Sequence, residues 1–277
     1  MDAHYQSLPW PAGPLTRGQW QTSLDVSHAS TRTEFIDLDG SMLAFAVATG
    51  ASERWGYELI GFDSEMQISG GGGRAVLGAG FLPGVPLHVP ELAEYPAARG
   101  TLRQFGIGAA AVREGRARSP SSAQVIVGVL LEQVDVSGFE LDYRLLAGPD
   151  AGVTGILDHS SRAAFLTPFV GWQQTRPLSR RWDWSPRALF AMPVPAGDFD
   201  ARLLGPGFDV STRAGGSPLK IGDGFATFGL ALTHRPSGLE IDLGGMLFFA
   251  VAEHMSHPGV DRAVLTHVAW RRRGGQR

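Results

Sequence analysis

Residue types that could carry out catalysis stand side by side at one place in the sequence. Asp158-His159-Ser160-Ser161 holds an acid, a base and two hydroxyl nucleophiles in consecutive positions. Consecutive residues of an extended strand point to opposite faces, so these four cannot form a Ser-His-Asp triad by themselves. A membrane-embedded lipid hydrolase is one hypothesis for the chain, and it depends on this segment alone.

Two other segments have residues that suit metal ions. His254 and His257 have an HxxH spacing beside Glu253 in a predicted loop, where a zinc site would need a further converging ligand. Asp37 to Gly40 resembles the start of a calcium loop, but Phe45 follows where an oxygen ligand is required. The favoured interpretations are solvated loop histidines and an Asp-Gly turn, so we predict no metal site and no cofactor.

The composition excludes several functional classes. The 277 residues include no cysteine, which rules out disulfides, thiolate metal sites and a cysteine nucleophile. The formal net charge is −3, so there is no overall positive field for nucleic acid. Charged residues make up only 18% of the chain and glycines number 37, which is typical of a β protein with many turns.

Charged residues alternate with apolar ones along several segments, which indicates strands with two different faces. In the segment from Leu239 to Val251, Ile241 and Leu243 share one face, while Glu240 and Asp242 share the other. If the apolar faces meet lipid, the charges point into a barrel lumen. The predicted lumen-lining residues are Glu58, Glu140, Asp142, Arg144, Arg202, Glu240 and Asp242. They would line a hydrated pore or form a salt-bridged polar core, and the sequence leaves both open.

The alternating segments recur along the whole chain, and helical periodicity is not sustained anywhere. We predict an all-β, antiparallel, up-and-down transmembrane β-barrel of about 12 strands, within a range of 10 to 14. Its predicted parts are a Pro/Gly-rich N-terminal segment (1–18), the barrel (19–271) and a basic C-terminal tail (272–277). Short connections such as 50–53, 195–198 and 235–238 contrast with one long excursion at 63–100.

A membrane location is favoured over a soluble barrel or sandwich, which would show the same alternation. Aromatic residues at strand ends predict an interfacial girdle, because amphipathic rings prefer the membrane–water boundary. The girdle residues are Trp20, Trp55, Tyr57, Trp172, Trp184 and Trp270. Apolar runs are about eight residues at most, well short of a spanning helix. No signal peptide precedes the first strand, so we interpret the chain as a mature form with an added methionine.

Several stretches also resemble a family of Gram-negative outer-membrane β-barrel proteins of unknown function. They are Gly13-Pro14-Leu15, Gly18-Gln19-Trp20, Leu38-Asp39-Gly40, Gly50, Glu53 to Leu59, Met192 to Asp198, Gly205 to Asp209 and Gly222-Asp223-Gly224. The last strand, ending in Val268 and Trp270, is also similar to the C-terminal strand that the barrel-assembly machinery recognises, although here a tail follows it. The resemblance covers about half of the chain and implies the fold and the outer-membrane location. It implies no reaction.

Three hypotheses for function follow. The first is a passive or weakly selective channel for small solutes, and the second is a structural or partner-binding barrel within an envelope complex. The third is the lipid hydrolase. The expected partners are the lipid bilayer and lipopolysaccharide, the assembly machinery during biogenesis and a possible envelope protein, with no nucleic acid.

Overall fold

The computed structural model describes residue 15 and residues 17–32, 37–70, 73–77, 91–115, 122–146, 151–196, 199–205, 208–214, 224–249 and 262–275. These residues form strands and turns, and among them no helix is long and apolar enough to cross a membrane. The histidines of the HxxH spacing and residues 1–14 of the N-terminal segment lie outside the described residues.

Fifteen strands are present in the described residues. In chain order they are β1 (Gln19–Arg32), β2 (Asp37–Gly50), β3 (Trp55–Gly70), β4 (Gly73–Leu77), β5 (Glu91–Tyr95), β6 (Ala98–Glu114), β7 (Ser122–Leu145), β8 (Thr154–Pro177), β9 (Trp182–Ala191), β10 (Val194–Pro195), β11 (Phe199–Gly205), β12 (Phe208–Ala214), β13 (Gly224–His234), β14 (Leu239–Phe249) and β15 (Arg262–Gly275).

Ten of these strands close into a barrel. The order around the wall is β1-β2-β3-β6-β7-β8-β9-β13-β14-β15, and every pair is antiparallel. The ring is complete because β15 pairs with β1 along fourteen register positions, from Gln19↔Gly275 to Arg32↔Arg262. The predicted antiparallel membrane-type barrel is confirmed, with a wall at the lower end of the predicted strand range.

The other strands build a projection beyond one end of the wall. Each of β7 and β8 has 24 residues, more than twice a membrane crossing. Above the wall, β5 pairs with β7, β11 pairs with β8, and β4 and β12 complete two hairpins. We call this part, with the upper halves of β7 and β8 and the short β10, the extension.

The wall strands form because their residues alternate strictly between two environments. On β2, Leu43, Phe45 and Val47 are exposed on the outer face, while Met42 and Ala44 are buried inside. Small inward residues on this strand leave room for larger side chains from the opposite wall, as close packing in a narrow barrel requires. The same alternation holds along β1, β3, β6 and the lower part of β7.

The interior has a polar side and an apolar side. Inward positions of β1, β9, β14 and β15 are mostly polar, among them Asp25, Arg187, Glu240 and His267. Inward positions of β2, β3, β6 and β7 are mostly apolar and belong to one continuous buried cluster that includes Phe62, Met66, Ile126 and Leu130. The polar side lies mainly near one end of the barrel.

The two ends of the barrel differ in their connections. At one end, which we call the short-turn end, residues 51–54, 178–181 and 235–238 join β2 to β3, β8 to β9 and β13 to β14. At this end Gly238, with φ +71°, allows the last of these turns to approach β15, since a Cβ there would lie 2.0 Å from the Arg271 carbonyl oxygen. The opposite end bears the extension.

Three predictions about connections are wrong. Asp37 to Gly40 are the first residues of β2 and not a turn, because β1 and β2 pair as far as Arg32↔Asp37. The region 63–100 is not one loop, since β3 continues to Gly70, β4 and β5 form a hairpin, and β6 begins at Ala98. Arg272 and Arg273 are part of β15, where they pair with Thr22 and Gln21.

A β-bulge divides β7 into two parts. The pairing register of β7 with β8 shifts between Val136 and Phe139, and Gly138 has φ +56°. Below the bulge even-numbered residues such as Val134 face inward, whereas above it the odd-numbered Leu141 is buried. One extra residue therefore exchanges the two faces of the strand.

Candidate functional site

An ion-pair network lies inside the short-turn end. The guanidinium of Arg187 on β9 contacts Glu240 Oε1 at 2.5 Å and Asp242 Oδ2 at 3.2 Å, both on β14. Arg271 on β15 donates to the same Glu240 oxygen at 2.8 Å. All four side chains are at most 6% exposed. Buried charges of this kind need such close partners, because each has lost its hydration.

Small residues on the intervening strand make this network possible. Strand β13 separates β9 from β14, and its inward position paired with Arg187 is Gly229. A Cβ on Gly229 would lie 2.8 Å from Asp242 Oδ1. The next inward position, Ala231, is fully buried and also small. Arg187 can therefore reach over β13 to the carboxylates on β14.

The network continues across the seam between β15 and β1. His267 Nε2 lies 3.4 Å from Asp25 Oδ1, and the two side chains are 7% and 0% exposed. Asp25 and Glu58 both act electrostatically on Arg271, so the carboxylates of β1 and β3 belong to the same group of charges. On the polar side the buried carboxylates outnumber the buried arginines.

A second polar group lies further along the lumen, toward the extension. Gln104 on β6 donates a short hydrogen bond to Glu132 on β7, and Ser64 on β3 donates to the Gln104 carbonyl oxygen at 3.1 Å. These side chains are at most 3% exposed. They form a polar patch within the apolar side of the lumen.

The predicted lumen residues fall into two groups. Glu58, Glu240 and Asp242 are buried inside the barrel near Arg271 and Arg187. The prediction is wrong for the other four, Glu140, Asp142, Arg144 and Arg202, which belong to the extension and not to the lumen wall. There Glu140 forms an ion pair with the exposed Arg99, on the face opposite the buried Phe139 and Leu141.

These four residues were wrongly placed in the lumen because β7 contains a bulge and continues beyond the membrane. Above the membrane, water replaces lipid outside the strand, so apolar residues turn inward and charged ones turn outward. The bulge at Ser137 and Gly138 supplies the one-residue shift that this exchange requires. Alternation alone cannot distinguish a strand in lipid from its continuation in water.

Sequence reasoning missed Asp25, Arg187, His267 and Arg271. For at least two of them, the sequence shows the alternation of charged and outward-facing residues that predicts an inward charge. Asp25 stands between the exposed Leu24 and Val26, and Arg187 stands two residues before the buried Leu189 and beside the outward Pro186. Inward charges opposite an apolar outer face could have been predicted there as they were on β14.

The six predicted girdle residues all lie near the short-turn end. Trp20, Trp55, Tyr57, Trp172 and Trp270 are between 41% and 56% exposed on the outer face, and Trp184 is half-buried. Arginines cover two of the rings: the Arg113 guanidinium carbon lies 5.5 Å from the Trp55 centroid, and that of Arg176 lies 5.4 Å from the Trp184 centroid. Such cation–π contacts are favoured where rings are partly solvated.

Exposed ion pairs lie on the outer face at the other boundary. Arg103 pairs with Asp63 at 3.0 Å, and Arg162 pairs with Asp135 at 2.7 Å. On β3, the outward residues between Trp55 and Asp63 cover about 26 Å of strand at about 3.3 Å per residue. At the usual strand tilt of about 40° this length corresponds to about 20 Å along the barrel axis, somewhat less than the apolar band of about 25 Å in outer-membrane barrels.

The segment from Asp158 to Ser161 lies within β8, in the extension. His159 and Ser161 share the inner face with Phe139, whose ring meets the imidazole edge-on at 6.3 Å. Asp158 is on the opposite face, so the segment does not assemble a triad. Burial lowers the pKa of His159, and Asp158 only partly counteracts this.

Within the described residues, no group of three or more His, Asp or Glu side chains is arranged to hold a metal ion. Arg187 and Arg271 occupy the positions between the carboxylates where a cation would otherwise be needed. The buried acids are thus neutralised mainly by arginine.

A closed wall, an apolar outer face, buried charged side chains inside and an aromatic boundary occur together only in proteins that cross a membrane as strands. This chain is an outer-membrane β-barrel. Barrels of this class belong to the outer membrane of Gram-negative bacteria, which is therefore its location.

Comparisons with known proteins add solved structures only, since no family model and no curated protein matches the chain. The outer-membrane protease OmpT of Escherichia coli is 8% identical, with 96% of this chain and 99% of that chain covered and a TM-score of 0.48. OprG of Pseudomonas aeruginosa is 9% identical, with 93% and 97% covered and a TM-score of 0.36. The toluene transporter TbuX of Ralstonia pickettii is 9% identical, with 94% and 90% covered and a TM-score of 0.35. At these identities no activity is transferred to this chain.

Proposed function

We propose that the barrel is a narrow channel for small hydrophilic solutes, with a preference for small cations, that follows the polar side of the lumen. The observation that carries the proposal is the concentration of buried polar side chains on the inner faces of β1, β9, β14 and β15. A barrel built only as an anchor would gain more stability from an apolar interior, because ion pairs repay their desolvation poorly.

Several buried polar groups on β1 and on the neighbouring wall strands β7 and β8 need water. Both carboxylate oxygens of Asp25, both side-chain amide atoms of Gln124 and the Oε1 atom of Gln173 are buried without a hydrogen bond from the described part of the protein. Buried polar atoms in this situation are normally bonded to ordered water. The polar side of the lumen therefore supports a file of water near the short-turn end.

The sign of the interior supports a preference for cations. The four carboxylates of Asp25, Glu58, Glu240 and Asp242 face the two guanidinium groups of Arg187 and Arg271, which leaves an excess of negative charge. Rings of carboxylates in a narrow passage favour cations by lowering their electrostatic energy. Asp25 contributes most directly, because neither of its oxygens accepts a hydrogen bond from an arginine.

Bilayer recording tests this function. Purified, heat-modifiable protein in a planar bilayer under a KCl gradient should give small single-channel currents with a reversal potential displaced toward the K⁺ equilibrium value. Asp25→Asn, which keeps the side-chain shape, should move that potential toward zero. Asp63→Asn removes an exposed carboxylate from the outer face and should leave it unchanged. Folded protein that never conducts would exclude the channel.

The extension supports a second candidate function, the binding of an envelope protein. In the described residues β4 pairs only with β5, and β12 pairs only with β11, so both are edge strands of the sheet. Edge strands can accept a strand from a partner by β-augmentation. Removal of β11 and β12 should then abolish co-purification of a stoichiometric partner while the heat-modifiable barrel remains. The same yield of partner without the hairpin would exclude this role for it.

A further inference from the structure

The arginines at the short-turn end form a charged belt that the channel proposal does not use. Exposed arginines there are Arg17, Arg54, Arg113, Arg176, Arg180, Arg181, Arg235, Arg272 and Arg273. Acidic residues exposed or half-buried at the same end of the described chain are Glu53, Glu114 and Asp183. The belt is strongly positive although the whole chain has a formal charge of −3.

The opposite boundary is built differently. Among the described residues there, exposed arginines of the wall are matched across neighbouring strands by acids, as in Arg103 with Asp63 and Arg162 with Asp135. These pairs neutralise their own charge. Within the described part of the chain, the excess of positive charge is therefore concentrated at the end that carries the aromatic girdle.

Adjacent turns bring part of the belt together. The Arg235 amide donates to the Arg181 carbonyl oxygen at 2.9 Å, which joins the β13–β14 turn to the β8–β9 turn. The Arg271 amide donates to the Gly238 carbonyl oxygen at 3.0 Å, which joins the same turn to β15. As a result, Arg180, Arg181 and Arg272 lie along one continuous edge.

A cavity of about 650 Å³ lies at this edge, lined by Asp183, Arg235, Ser237, Trp270, Arg272 and Arg273. The Trp270 indole donates to the Ser237 carbonyl oxygen at 3.0 Å, which fixes the ring at the margin of the cavity. Trp270 and Val268 are exposed on the same outer face of β15. The cavity thus connects the basic belt directly to the apolar surface of the barrel.

We propose that this belt binds the phosphate groups of anionic phospholipids in the leaflet that surrounds the short-turn end. A phospholipid would place its phosphate among Arg180, Arg181 and Arg272, while its acyl chains lie against the apolar outer face beside Val268. Guanidinium groups suit phosphate because they offer several donors in one plane. Charge and apolar surface are adjacent here, which is the arrangement that a lipid, and not a soluble anion, requires. The inference is independent of channel activity.

Lipid retention measured by native mass spectrometry tests the proposal on the full chain in detergent, with phosphatidylglycerol and phosphatidylcholine as competing probes. We expect preferential retention of phosphatidylglycerol that weakens as salt is raised. Arg180→Gln with Arg181→Gln, and separately Arg272→Gln, should each reduce that preference, by about fivefold for each arginine removed. Arg180→Lys with Arg181→Lys should preserve most of it.

The matched control removes the same number of arginines from the opposite boundary. Arg103→Gln with Arg162→Gln should leave phosphatidylglycerol retention unchanged. Equal retention of the two lipids at low salt would overturn the proposal, as would an equal loss in the control variant. Retention of lipopolysaccharide in place of phosphatidylglycerol would also overturn it. If one rim variant fails to give heat-modifiable barrel, the other provides the measurement.

Discussion

Arg187 has two acidic partners and no exposure to solvent, which makes it the side chain on which the interior network depends. Its guanidinium lies between the buried carboxylates of Glu240 and Asp242, which have lost their hydration. Arg271 also pairs with Glu240, whereas Arg187 contacts both carboxylates. Loss of Arg187 would leave an uncompensated buried carboxylate.

We therefore predict that Arg187→Met destabilises the barrel by about 3 kcal/mol, the lower part of the range for breaking a buried ion pair. The temperature at which the compact form converts to the unfolded form on gels should fall clearly in detergent. Arg103→Met breaks the exposed pair with Asp63 and serves as the control, because exposed pairs contribute little. Equal shifts in the two variants would mean that the interior pairs are hydrated.

For single residues, the sequence predicts which side chains point inward where a strand keeps the same alternation throughout the membrane. Glu240 and Asp242 were placed correctly opposite Ile241 and Leu243, because a lipid-facing apolar face fixes the direction of its neighbours. Their partners could not be predicted. Arg187 lies two strands away in the wall. Only the pairing of β9 with β13 and of β13 with β14 brings it close to Glu240.

Among the elements, β7 shows most clearly what the sequence conceals. Even-numbered residues are buried around Val134, whereas odd-numbered residues are buried around Leu141. The sequence pattern therefore predicts two separate strands. The structure joins them in one strand of 24 residues through the bulge. Ser137 and Gly138, two turn-forming residues between two alternating runs, were the available signal for a bulge.

The bulge supplies a test at the scale of the element. Gly138 has φ +56°, and a Cβ there would meet nothing within 4 Å, so Gly138→Ala should act through backbone strain alone. We expect a cost of about 1 kcal/mol. Amide hydrogen exchange in the part of β7 above the bulge should become about fivefold faster. Ser137→Ala, at the neighbouring position, should leave exchange near that of the wild type, and equal effects would show that the bulge itself is not strained.

For the whole molecule, the difference between the two ends predicts its direction in the membrane. Outer-membrane barrels place short turns in the periplasm and long connections outside the cell. Here the turns 51–54, 178–181 and 235–238, the aromatic girdle and the basic belt share one end, while β7, β8 and their attached hairpins rise from the other. The extension should therefore project from the cell surface.

An epitope inserted after Gly152, in the turn between β7 and β8, should react with antibody on intact cells. The same epitope after Ser179, in the turn between β8 and β9, should react only after the outer membrane is permeabilised. Both turns are exposed and tightly connected to the same strand, so each insertion acts as the other's control. If the Ser179 insertion were labelled on intact cells instead, the arginine belt would face the outer leaflet. The lipid phosphates available to it would then be those of lipopolysaccharide, so this measurement also determines which leaflet the belt can bind.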